Sequence, residues 1–207
     1  MADEVITGDS GPRRRRRRSG GSKAKAAPTG VLGLVRAPRF GKALFGVMVL
    51  AALAQLWSIH GSAERARSAF GPVALGQTES EARFSLGGDP ARPLDAETTA
   101  YQRAGRIMVL RFNPQDRRVA GMSCREEGVA PLACPDLLGV RIGSSRASML
   151  AELGDGPVRY AGSRELRDYP ALGARIELDD GTVRAIAIGA APPSESLWPL
   201  VLRRLAP

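Results

Sequence analysis

Leu75-Gly-Gln-Thr-Glu-Ser-Glu-Ala-Arg-Phe-Ser-Leu-Gly-Gly-Asp-Pro-Ala-Arg92 and Ile142-Gly-Ser-Ser-Arg-Ala-Ser-Met-Leu-Ala-Glu-Leu-Gly-Asp-Gly-Pro-Val-Arg159 carry one pattern twice, without a gap. Gly76 falls on Gly143, Thr78 on Ser145, Leu86 and Gly87 on Leu153 and Gly154, Pro90 on Pro157, and Arg92 on Arg159. Each copy reads as a short helix. Thr78 and Ser145 are N-caps, and Thr78 with Glu81 has the capping-box spacing. About two turns follow, with Ala82 and Leu86, or Met149, Leu150 and Leu153, on the buried side. Gly87 and Gly154 stand where a left-handed C-cap is wanted, and the proline three residues on prevents continuation.

Strand signals follow each helix. Arg106 to Phe112 is a strand, Asn113-Pro-Gln-Asp116 turns, and Arg118 to Cys124 returns. In the second copy Ala174 to Leu178 alternates, Asp179-Asp-Gly181 turns, and Thr182 to Ile188 returns. Between helix and hairpin lies a polar connector with a tyrosine, Tyr101 in one copy and Tyr160 or Tyr169 in the other. Helix then hairpin, done twice, predicts an α+β domain with its helices on one face of an antiparallel sheet, continuous across both copies. The expected units are repeat 1 over 72–124, a linker over 125–138, repeat 2 over 139–190 and a C-terminal amphipathic segment over 191–207. In that segment Ser194 to Leu205 forms a helix that packs on the sheet through Leu197, Trp198, Val201 and Leu205; docking a partner is its other reading.

Upstream, Ala43 to Ile59 holds no charged residue. At about 1.5 Å per residue it covers roughly 26 Å, close to the hydrocarbon core once Lys42 snorkels and Trp57 and His60 sit at the interface. Residues 40–60 are expected to be a transmembrane signal-anchor helix, with 61–71 a spacer. A buried core helix is the bland alternative, although the stretch is apolar all round. A cleavable signal peptide also stays open, because Gly61-Ser62-Ala63 has the small-x-small pattern.

The chain carries 30 basic and 21 acidic residues, a net charge of +9. Eleven of those bases and three of the acids precede position 43, so the remaining 19 and 18 nearly cancel. The positive-inside rule keeps the N-terminus cytoplasmic and places the folded domain in the periplasm, anchored in the inner membrane. Residues 1–39 read as a disordered basic arm. Its run Arg13, Arg14, Arg15, Arg16, Arg17 and Arg18 contacts anionic membrane lipid or serves orientation alone. With its excess charge in the arm, the folded domain is expected to bind no nucleic acid. Export makes a disulfide between Cys124 and Cys134 the default, closing the linker between the copies.

Gly76, Thr78, Leu86, Gly87 and Pro90, and more loosely Gly143, Ser145, Leu153, Gly154 and Pro157, give a pattern that resembles the SmpA/OmlA family. That family includes the small lipoprotein of the outer-membrane β-barrel assembly machinery. The tandem arrangement is also similar to the β-lactamase-inhibitor-protein architecture. The resemblance covers roughly half of the chain and implies non-catalytic binding in the bacterial envelope. Two departures stand out: no lipobox cysteine precedes the domain, and the lipoprotein has a single unit.

Catalytic motifs are missing. The sequence has no phosphate-binding loop, no His-Glu-x-x-His and no Gly-x-Ser-x-Gly elbow. Its one histidine, His60, borders the apolar stretch, so histidine-activated nucleophiles are excluded from the folded body. Asp89, Asp136, Asp155, Asp179 and Asp180 all read as turn residues. No catalytic residue, metal or cofactor is expected. Arg92 and Arg159 offer contacts to an anionic partner, or pair with nearby acids. The expected function is an assembly or scaffold subunit that binds envelope protein; the alternative is an inhibitor or regulator of an exported enzyme.

Overall fold

The computed structural model describes residues 38–205, and its contacts divide the chain between Gly46 and Val47. The arm, including Arg13 to Arg18, lies outside the described residues. On the N-terminal side of the division the described residues open helix α1, Pro38–Ser68. α1 contains the one helical segment, among the described residues, long and apolar enough to cross a membrane. From Val47 through Leu53 its large apolar side chains are exposed, which removes the core-helix alternative for that segment.

On the other side of the division the last turns of α1 belong to a folded domain. Ala63 and Ala66 are buried in its core, and Leu56 and Ile59 pack against it. The spacer expected over 61–71 is therefore corrected: residues through Ser68 stay helical, with Ala63 and Ala66 buried in the core of the domain. Arg67 holds that turn in place, donating to the carbonyls of Ala171 at 2.6 Å and Glu195 at 2.7 Å. A small hairpin follows, β1 (Ala69–Phe70) with β2 (Val73–Ala74).

The domain is mixed α and β. After helix α2 (Glu79–Ser85) come β3 (Ala91–Pro93), β4 (Thr98–Arg103), β5 (Arg106–Phe112) and β6 (Val119–Glu126). After helix α3 (Arg146–Leu153) come β7 (Val158–Ala161), β8 (Arg164–Tyr169), β9 (Ala174–Asp179) and β10 (Thr182–Ile188), and the chain ends in helix α4 (Trp198–Leu205). The eight strands form one antiparallel sheet in the order β3-β4-β5-β6-β10-β9-β8-β7. Each half is a four-stranded meander, and the halves join where β6 pairs β10, Cys124 opposite Ile186.

The polar connectors expected between helix and hairpin thus contain strands of their own, β3 and β4 in one half and β7 and β8 in the other. Their inward side chains are Tyr101 on β4 and Glu165, Arg167 and Tyr169 on β8, all buried. The helices are positioned as their caps dictate. Thr78 accepts from the backbone N–H of Glu81, whose carboxylate accepts from the backbone of Thr78 at 2.8 Å; Ser145 accepts from Ser148 at 3.2 Å. Ala82 and Leu86, and Met149 and Leu153, then face the core formed by Met108, Leu110, Ile176, Leu178 and Ile186.

Gly76 and Gly143 take positive φ, +82° and +85°, and each donates to the second strand of its own hairpin, to Val119 and Val183. Gly87 and Gly154 also take positive φ. The carbonyls of Pro90 and Pro157 accept from Gln102 and Asp168. The disulfide Cys124–Cys134 is formed and ties β6 to the crossover segment. α4 starts later than expected. It buries Leu200 and Val201, with Leu197 just ahead of it, but leaves Trp198 49% exposed, so Trp198 is no core contact.

Candidate functional site

The helices and the core occupy one face of the eight-stranded sheet. The strand registers define what the other face carries. One row runs Arg92, Ala100, Val109, Ser123, Ala187, Arg175, Asp168, from the edge strand β3 to β8. The next runs Gln102, Ile107, Arg125, Ala185, Glu177, Leu166, Arg159. Ile107, Val109, Leu166, Ala185 and Ala187 are only half-buried, so the floor of this face is apolar and reachable. Ile107, Val109, Ser123, Leu166, Ala185 and Ala187 line a groove of about 390 Å³, flanked by Arg125, Arg175, Glu127 and Glu177. It runs into a second depression beside Arg111, Gly121 and Gly189.

Sequence alone places Arg92 and Arg159 at equal positions in two copies. In the fold they stand on the outer strands β3 and β7, at opposite rims of this same face. Arg92 is exposed, whereas Arg159 pairs with Asp168 at 2.5 Å. The other arginines of the face are Arg111, Arg125, Arg164 and Arg175. Together with Arg92 and Arg159 they make six, against four carboxylates, Asp168, Glu177, Asp179 and Glu127.

Each central carboxylate is shared between two guanidiniums: Asp168 by Arg159 and Arg175, and Glu177 by Arg125 and Arg164. Arg111 donates to the carbonyl of Gly189 at 3.2 Å. Partial burial would raise the Asp168 carboxyl; its hydrogen bonds with Arg175 and Arg159, and their charges, outweigh this and hold it below the usual range. A carboxylate held ionised in this way is a poor proton donor at neutral pH.

The remaining singled-out acids lie elsewhere. Asp89 is buried and paired with Arg103 at 3.3 Å and Arg106 at 2.9 Å. Asp155 pairs with Arg167, Asp136 accepts from the backbone of Gly139, and Asp180 with Gly181 makes the positive-φ turn between β9 and β10. The repeated motif residues Gly76, Thr78, Gly143 and Ser145 sit at the helix starts, where they position α2 and α3.

No protein-family model and no curated protein matches the chain. Among solved structures it is similar to an extracellular protein containing an SCP domain from Bacillus anthracis str. Ames, at 8% identity and a TM-score of 0.36. It is also similar to a cysteine-rich secretory protein from Staphylococcus aureus subsp. aureus Mu50, at 11% identity and a TM-score of 0.34. Each match covers 55% of this chain and 43% of the other, so the chain spans less than half the length of either.

Sequence reading passed over the floor of the open face. Its signal was present. An antiparallel strand with one wet face should alternate, yet β5 reads Ile107-Met-Val-Leu110, apolar on both parities. β10 likewise turns Ala185 and Ala187 outward where polar residues are usual.

Proposed function

We propose that this chain is a single-pass membrane protein whose folded domain binds another protein through the open face of its sheet, without catalysing a reaction. The observation that carries this reading is the apolar floor formed by Ile107, Val109, Leu166, Ala185 and Ala187, left uncovered among the described residues in a fold whose other face carries the helices and the core. Such a face, rimmed by charge, is the usual form of a protein interaction surface. The excess of arginine at its rim favours a partner that presents an apolar projection surrounded by carboxylates.

The exposed apolar segment of α1 supports the membrane anchor. The basic residues that precede it favour a cytoplasmic N-terminus and a domain on the periplasmic side of the inner membrane. The paired helix starts, in which Gly76 and Gly143 make equivalent hydrogen bonds, support reading the two halves as a duplicated unit. Within this proposal the protein is an assembly subunit of an envelope complex.

Affinity purification of the full-length protein from gently solubilised membranes tests this, with Val109→Glu as the comparison. The wild type should retain a stoichiometric protein that the variant loses, while both give the same circular dichroism. Equal recovery by both proteins would move the binding site off the sheet. Recovery of the wild type alone, in every preparation, would remove the binding function.

A further inference from the structure

The apolar stretch and the folded domain overlap in sequence. Ala43 to Ile59 is free of charge, yet Leu56 and Ile59 already pack against the domain core and Ala63 is fully buried. If the domain were held clear of lipid, 43–55 would have to cross alone. At 1.5 Å per residue those positions cover about 20 Å, well short of a hydrocarbon core of about 30 Å. The shared turn therefore has to lie in lipid and against protein at once, which brings the domain surface beside it into the headgroup region.

The element at that level is α4. Trp198 lies against His60, one residue beyond the apolar stretch, with ring centroids 5.5 Å apart. Trp198 and Leu202, one turn apart on α4, are both exposed, whereas Leu197, Leu200 and Val201 on its other side are buried. An indole and an aliphatic side chain on the outer side of an amphipathic helix are what a headgroup–acyl boundary accommodates.

We infer that α4 is bedded in the interface of the same bilayer that α1 crosses, with Trp198 and Leu202 inserted among the lipids. The occupant of this helix face is lipid, because the shared turn at Leu56 to Ile59 leaves no room for a protein layer between domain and membrane. This rests on the membrane-spanning reading proposed above and is independent of the open sheet face. Interfacial insertion fixes the height of the domain over the membrane at a second point besides α1.

The chain has two tryptophans, Trp57 and Trp198, so single substitutions give site-specific probes. Full-length Trp57→Phe and Trp198→Phe are each reconstituted into vesicles of mixed phosphatidylcholine and phosphatidylglycerol. Some of the lipid carries a nitroxide on the acyl chain near the headgroup. In Trp57→Phe the remaining Trp198 should lose about half of its fluorescence to the nitroxide lipid and resist aqueous iodide. Trp198 quenched by iodide but not by the lipid, with Trp57 lipid-quenched in the other variant, overturns the inference and leaves the anchor standing. Trp57 untouched by the nitroxide lipid removes the span itself, and the inference falls with it.

Discussion

The hydroxyl of Tyr169 on β8 donates to the carbonyl of Gly154 at 3.2 Å, fastening the outer half of the sheet to the end of α3. Burial pushes this phenol up to about 12 from 10.0; Arg167 works against the rise, while Asp155 and Glu165 add to it. In the unfolded chain the group ionises near its ordinary value. Between the two values the unfolded state has released a proton that the folded state still holds.

The resulting stability is fully present below pH 10 and is lost as pH rises toward about 12. Two units correspond to on the order of 3 kcal/mol. Urea midpoints of the full-length protein in detergent should fall over this range, and Tyr169→Phe should flatten the fall. An unchanged alkaline slope in the variant would assign it to another group, such as Tyr101, which burial also raises.

Glu165 and Arg167 face the core from β8 and pair with each other, with Arg146 and Asp155 as outer partners. Both are nearly buried, at 3% and 9% exposure. Glu165→Ala leaves Arg167 with one carboxylate, itself exposed, and should cost about 3 kcal/mol. Glu165→Leu combined with Arg167→Met removes both charges and should recover most of that loss. Chemical denaturation of the three proteins separates the cases; a double variant weaker than Glu165→Ala would show that the pair stabilises the fold beyond mutual neutralisation.

This ion pair also explains what the sequence concealed. The capped helices and the two hairpins are legible because caps, left-handed glycines and period-two alternation are local signals. β8, written Arg164-Glu-Leu-Arg-Asp-Tyr169, breaks that alternation: two of its three core-facing residues, Glu165 and Arg167, are charged and its outward Leu166 is apolar. Only the partners supplied by α3 and the turn after it, Arg146 and Asp155, make that inward face tolerable, and those are tertiary facts. β3 and β7 are short outer strands with no buried residue, so no hydrophobic pattern announces them. The continuation of α1 past Gly61 is decided by Ala63 and Ala66 meeting the sheet. The open face was hidden differently, since an unbroken apolar strand reads as buried on both sides.

The disulfide closes a short loop between β6 and the crossover, a separation of 10 residues. In the chain-entropy account such a closure contributes about 2–3 kcal/mol. Replacing Cys124 and Cys134 together with serine should lower stability by at least that amount, since both positions are buried and receive hydroxyls. The denaturation midpoint of the wild type should move the same way when reductant is added, and should not move in the double variant. Equal midpoints for oxidised and reduced wild type would mean that the crossover is fixed by its own packing, through Leu137 and Val140.

Gly189 leaves β10 at φ +68°, and a Cβ there would stand 2.5 Å from the carbonyl oxygen of Ala120 and 2.9 Å from the Cα of Gly121. Both neighbours are backbone of β6, so neither can swing aside. Gly181, in the turn before β10, has φ +70° but open space around it. Gly181→Ala should therefore cost only the left-handed backbone strain, about 1–2 kcal/mol. Gly189→Ala adds a steric conflict at the seam between the two halves of the sheet and should cost several kcal/mol in all. Gly121→Ala, at 3.1 Å from the carbonyl of Gly189 and without a positive φ, tests the same seam more gently. Thermal melts should rank the three with Gly189→Ala lowest. If Gly189→Ala matched Gly181→Ala, the strands at the seam would have to be free to part, and the joining of β6 to β10 would not be the rigid spine of the open face.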